Sequence, residues 1–113
     1  MLKRIAYPIL YVSNMAIARA FYENLLGFSM VDDSGDFVEL QLGNSKLALN
    51  AATDDTKRPG FQTILIDSDD IDADYALLRD SVSIEMPLEV TDYGKTFIFR
   101  DPDGNKLEIV QEP

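Results

Sequence analysis

FIFRDPDGNKLEIVQ, residues 97–111, reads as two strands joined by a tight turn, in which Pro102 sets φ, an Asp can bond its own backbone and Gly104 takes positive φ. The design has an earlier counterpart. GNSKLAL at 43–49 answers GNKLEI at 104–109, each follows a Phe-bearing strand, and Lys46-Leu47-Ala48 set against Lys106-Leu107-Glu108 gives an offset of sixty residues. An internal repeat therefore organises the reading of the rest of the chain.

Working outward, residues 4–12 (RIAYPILYV) are β-prone, and Ser13-Asn14 can cap a helix whose apolar face would carry Ile17, Ala20, Phe21 and Leu25 and whose C-cap would be Gly27. Strands follow at 28–32, at FVELQL (37–42) and at KLALNA (46–51), separated by turns at 33–36 and 43–44. Residues 53–60 (TDDTKRPG) have no hydrophobic period and form a linker between module 1 (1–52) and module 2 (61–113). Beyond it come a strand at 61–66 and a helix started by Asp69-Asp70 with Ile71, Tyr75 and Leu78 on one stripe. Strands at 82–91, 96–100 and 106–111 complete the chain. The expectation is a single α+β domain of two βαβββ modules, forming a curled eight-stranded mixed sheet, a cup with the helices on its convex face.

The 113 residues, 46% of them hydrophobic, suffice for one domain with its own core. Ten Lys+Arg against twenty Asp+Glu give a net charge of −10, which argues against nucleic-acid and anionic-membrane partners because both are bound chiefly through Lys and Arg. The absence of Cys and His excludes disulfides, thiolate nucleophiles, Cys-based zinc sites, imidazole ligands and a Ser-His triad. Lys3-Arg4 ahead of an apolar run imitates a secretion signal, but that run is short, contains Pro8 and two tyrosines, and supplies a strand the repeat needs. The chain is read as cytoplasmic. Six Asp residues between 67 and 80 suit a helix's first turn and a solvated face, and they lack the glycine and final glutamate of a calcium loop. Tyr93-Gly94 reads either as a hairpin turn or as a flap over the cup.

The chain resembles the glyoxalase/bleomycin resistance protein/dioxygenase superfamily, or vicinal oxygen chelate fold, through LYVSNMAIARAFYENLLGF (10–28), DDIDADYALLRD (69–80) and FIFRDPDGNKLEIVQ (97–111). Enzymes of that superfamily hold a divalent metal in the cup. The resemblance places their ligand positions at Tyr7, Ala48, Phe61 or Thr63, and Glu108. Only Glu108 is a good metal donor, so the expected cofactor is none.

If Tyr7 and Glu108 face the cup, strand alternation brings Ile9, Tyr11, Phe61, Thr63, Lys106 and Val110 with them, and Glu39 and Gln41 take the same side of their own strand. Glu108 is either a site carboxylate or an inherited residue neutralised by Lys106. The ligand-binding candidates are Tyr7, Tyr11, Phe61, Thr63 and Glu108, for a cationic or aromatic small molecule such as an antibiotic. The alternative implied by the resemblance is a metal-dependent lyase, isomerase or dioxygenase with non-standard ligands around Glu108. A regulatory dimer without a small ligand is the third possibility. The expected assembly is a homodimer, since a curled sheet leaves strand edges for a partner to cover.

Overall fold

Every residue from 1 to 113 is described by a computed structural model, in which the expected plan occurs twice. The first copy runs β1 (Ile9–Val12), α1 (Met15–Arg19) continued as a π-helical segment (Ala20–Leu25), β2 (Ser29–Asp33), β3 (Phe37–Leu42) and β4 (Ser45–Ala51). The second runs β5 (Thr63–Asp67), α2 (Ile71–Leu78), β6 (Ser83–Thr91), β7 (Gly94–Arg100) and β8 (Lys106–Gln111). The chain is α+β, with its eight strands hydrogen-bonded as two four-stranded mixed sheets of order β1-β4-β3-β2 and β5-β8-β7-β6. Two compact units, Met1–Pro59 and Gly60–Pro113, contain one sheet each. No helix is long and apolar enough to cross a membrane.

In the first unit β4 pairs in parallel with β1 and antiparallel with β3, and the register aligns Leu10 with Leu49, Leu49 with Val38, and Leu47 with Leu40. Those side chains share one face by alternation, and all are buried. α1 contacts β4. Asn14 caps the helix by accepting from the Ile17 amide at 3.0 Å, and Gly27 leaves it with φ 84°. Arg19 pairs with Glu23 one turn on at 2.6 Å and ties the helix to the sheet through Asp33 of β2 at 2.7 Å.

The second unit repeats the scheme. Leu107 and Ile109 of β8 stand beside Ile64 and Ile66 of β5 and Phe99 and Phe97 of β7. Tyr75 of α2 meets Phe97 edge-on at a centroid distance of 5.0 Å, and Ile71 and Leu78 complete the expected stripe. Asp70 caps α2 by accepting from the Ala73 amide, Asp74 accepts from the Ser68 hydroxyl, and Asp72 pairs with Lys95, so half of the acidic stretch serves the helix and its first turn. Asp92-Tyr93 is the turn between β6 and β7, and Gly94 opens β7. Gly94 has φ 117°, and a Cβ there would stand 2.1 Å from the Gln111 carbonyl oxygen, so only glycine fits.

Several expectations are corrected. The first strand covers Ile9–Val12 rather than 4–12: Pro8 has no amide to donate, and residues 1–6 are exposed. The buried helical positions are Ala18 and Tyr22, whereas Ile17 is 54% exposed. Tyr22 packs edge-on against Phe21 and Phe28 at 5.3 and 5.5 Å, and the bond from the Leu26 amide to the Phe21 carbonyl shows the wider π turn that shifts the stripe. The fifth strand begins at Thr63, leaving Phe61 outside it, while β7 begins two residues earlier than expected, at Gly94.

The turn after β7 carries the tightest polar network. Asp101 accepts the Asp103 and Asn105 amides at 3.0 and 2.8 Å and the Asn105 side-chain amide at 2.8 Å. Asn105 in turn accepts the Gln62 amide at 3.0 Å, fixing the chain as it enters β5. Asn105→Ala removes the side-chain donor to a buried carboxylate and orphans the Gln62 amide. It should lower the unfolding free energy by about 2–3 kcal/mol in a urea titration. An unchanged midpoint would show that the latch contributes little.

Candidate functional site

With one face of each sheet occupied by its helix, the other is free to present side chains. On the first sheet that face is laid out in rows: Tyr11, Asn50 and Phe37 stand side by side, then Ile9, Ala48 and Glu39, and Lys46 is opposite Gln41. Tyr7 precedes β1, where Pro8 accepts the Ala48 amide at 3.0 Å. Its ring comes within 6.3 Å of the Phe37 ring, tilted by 50°. Tyr7 and Phe37 flank opposite edges of β4, and strands two spacings apart are roughly 10 Å from each other, so the rings lean toward each other across β4. Ala48, the smallest side chain of its row, is fully buried. Glu39 lies 3.5 Å from Lys46, the two side chains being 18% and 42% exposed.

On the second sheet the corresponding rows are Thr63, Lys106 and Arg100, then Leu65, Glu108 and Ile98. Glu108 is half-buried, and it forms no ion pair with Lys106, which removes the neutralised reading of that carboxylate. Arg100 is engaged by Glu85 at 2.5 Å and by the Gly104 carbonyl at 3.2 Å. Thr63 shares the face of Glu108 one row away. Phe61 lies two residues ahead of β5 with 78% of its surface exposed. Of the five candidates, the fold thus brings Tyr7 and Tyr11 onto one face of the first sheet and Thr63 and Glu108 onto one face of the second.

The residues at the inferred ligand positions do not fit a metal. Tyr7 is turned to Phe37, Ala48 offers a methyl group, and Glu108 stands between Leu65 and Ile98. A divalent ion needs several convergent oxygen or nitrogen donors, and no group of three or more acidic side chains is arranged to hold one. A cleft of about 430 Å³ does open beside the first turn of α2, lined by Asp70, Asp72, Val90, Thr91, Lys95 and Gln111 among others. Its central polar groups are committed, Lys95 to Asp72 and Gln111 to the Ile71 amide and the Asp69 carbonyl. The cleft therefore holds a helix start in place, and the sheet faces are the better candidates for a ligand.

Phe37 and Asn50 are the side chains on the first face that sequence reasoning missed. The period-two pattern of FVELQL places Phe37 with Glu39 and Gln41, so the signal was present. The apolar stripe of Val38, Leu40 and Leu42 drew attention to the other face.

The family model described as Glyoxalase/Bleomycin resistance protein/Dioxygenase superfamily matches residues 4–109. A member of that superfamily from Sphaerobacter thermophilus is 28% identical, with a TM-score of 0.79 over 99% of this chain and 100% of that one. TnmS3, an antibiotic binding protein from a Streptomyces species, is 26% identical, with a TM-score of 0.83 over 100% and 99%. A virulence protein from Salmonella typhimurium is also 26% identical, with a TM-score of 0.76 over 100% and 99%. Curated protein sequences gave no match.

Packing around Ala48 is directly testable. Ala48→Leu puts a branched side chain where the rings lean across β4, and it should cost about 1–3 kcal/mol of stability, as overpacking does. Urea unfolding together with the near-ultraviolet circular dichroism of the tyrosines checks this. Full stability with an unchanged aromatic signal would mean that the rings do not depend on the small residue.

Proposed function

We propose that this chain, which belongs to the glyoxalase/bleomycin resistance protein/dioxygenase superfamily, is a cytoplasmic, homodimeric protein that binds an aromatic or cationic small molecule without a metal. The observation that carries this reading is the aromatic pair at Ala48. Where the resemblance places a ligand donor of the superfamily's enzymes, this chain has the buried Ala48, on the strand that Tyr7 and Phe37 flank. Tyr7 and Tyr11 supply apolar wall on the first sheet. Phe61, Thr63 and Glu108 supply an aromatic ring, a hydroxyl and a carboxylate from the second module. Aromatic rings suit flat or cationic compounds, and a carboxylate suits a cation. The antibiotic-binding character of TnmS3, similar along its whole length, supports a binding role.

The homodimer rests on apolar surface that a lone chain leaves in water. β5 stands at the edge of its sheet, and Leu65 on it is 64% exposed beside the exposed Phe61. Sedimentation at micromolar concentration should give about twice the 12.7 kDa of one chain, and a monomer would count against the assembly.

A thermal-shift screen tests the binding role. Aromatic and cationic antibiotics should include a compound that raises the unfolding midpoint, worth about 2.7 kcal/mol at a hundredfold excess over Kd, while zinc, nickel and magnesium leave the midpoint unchanged. Stabilisation by a divalent metal alone would favour the enzyme reading. For a cationic hit, Glu108→Gln should weaken binding by about 1–3 kcal/mol, as loss of a charge-assisted hydrogen bond does. Equal affinity would remove Glu108 from the site.

A further inference from the structure

We propose that Glu39 and the ring of Phe37 form a recognition point for an organic cation on the open face of the first sheet. The inference rests on the small-molecule reading and adds to it the place where positive charge is received. Glu39 stands opposite Ala48 on one side and opposite Asp32 on the other. Carboxylates directly across neighbouring strands repel each other, and the sequence accepts that arrangement between β3 and the edge strand β2. The cation close to Glu39 is Lys46, at 3.5 Å, a long contact between a mostly buried carboxylate and an ammonium group on a more exposed side chain. Asp32 accepts only a hydroxyl, from Ser34 at 3.2 Å.

Phe37 lies two residues before Glu39 on the same face, which places the ring about 7 Å along the strand from the carboxylate. A cation held by Glu39 thus comes within reach of that ring, and the Tyr7 ring 6.3 Å from Phe37 extends the aromatic surface. The surroundings select an organic ion. A hard metal ion asks for several oxygens in a closed shell, whereas an alkylammonium group carries apolar surface that rings cover and a charge that one carboxylate balances. The chain's net charge of −10 favours the approach of any such ion.

The test titrates the full chain with benzyltrimethylammonium chloride and, separately, with neutral benzyl alcohol, followed by calorimetry and by amide chemical shifts. Wild type should bind the cation more tightly than the alcohol. Glu39→Gln should weaken the cation about tenfold and leave the alcohol unchanged. Phe37→Leu should weaken the cation about threefold. Lys46→Met, which frees the carboxylate, should strengthen it. Asp55→Asn, which removes one charge from the exposed linker, controls for the overall field. Thermal unfolding of each variant confirms that it is folded. If the cation binds wild type and Glu39→Gln equally, the assignment falls and the small-molecule reading stands. If neither probe binds wild type, the assignment falls together with that reading. If Glu39→Gln alters sedimentation instead of binding, the carboxylate belongs to an interface and the assignment is overturned.

Discussion

Every side chain of interest owes its position to two middle strands, β4 and β8, each paired in parallel on one edge and antiparallel on the other. A strand held on both edges cannot slip, because a shift of one residue would move Leu47 and Leu49, or Leu107 and Ile109, from beneath a helix into water. Burial of those four side chains thereby dictates what the opposite face displays. On β4 it displays Lys46, Ala48 and Asn50, and on β8 it displays Lys106, Glu108 and Val110. The sixty-residue repeat places Ala48 and Glu108 at equivalent positions, so the difference between the two faces lies in the side chains alone.

Much of this was legible from local chemistry. The closing hairpin, the α2 stripe and the span of β8 follow from turn residues and from apolar periods that no tertiary contact overrides, and the βαβββ order follows from the repeat. What escaped reading depends on contacts between elements. Tyr22 looks like a surface residue by its hydroxyl, yet Phe21 and Phe28 meet its ring edge-on and make it core. Phe61 looks like strand, yet the hydrogen bonds that begin β5 reach only as far as Gln62. Strand alternation puts Tyr11 and Glu39 on one side, but no pattern could reveal that Tyr7 reaches toward Phe37, since that is a contact between two different strands' neighbourhoods.

The candidate faces also differ in how much they leave unpaired. On the second sheet Arg100 is engaged by Glu85 and the Gly104 carbonyl, and Glu108 sits between two aliphatic side chains with no charged partner. On the first, Glu39 has one loose lysine and a second carboxylate across the strand. Half-buried charge without a close partner is costly to keep. Glu108 bears that cost among aliphatic neighbours, whereas Glu39 offsets part of it with Lys46 at 3.5 Å and stands on the face that carries Phe37 and Tyr11.

Metal binding and aromatic binding make opposite demands on the space around Ala48. A metal site needs a donor long enough to project from the sheet, room for the ion and further donors converging on it. An aromatic site needs the donor removed so that rings can approach across the strand. A carboxylate or imidazole at 48 would occupy the space toward which Tyr7 and Phe37 lean, and a single chain could not satisfy both designs there. A donor at 48 and the meeting of the two rings are therefore alternatives in this fold rather than independent features. The same small residue that leaves the superfamily's metal position without a donor makes the aromatic surface possible.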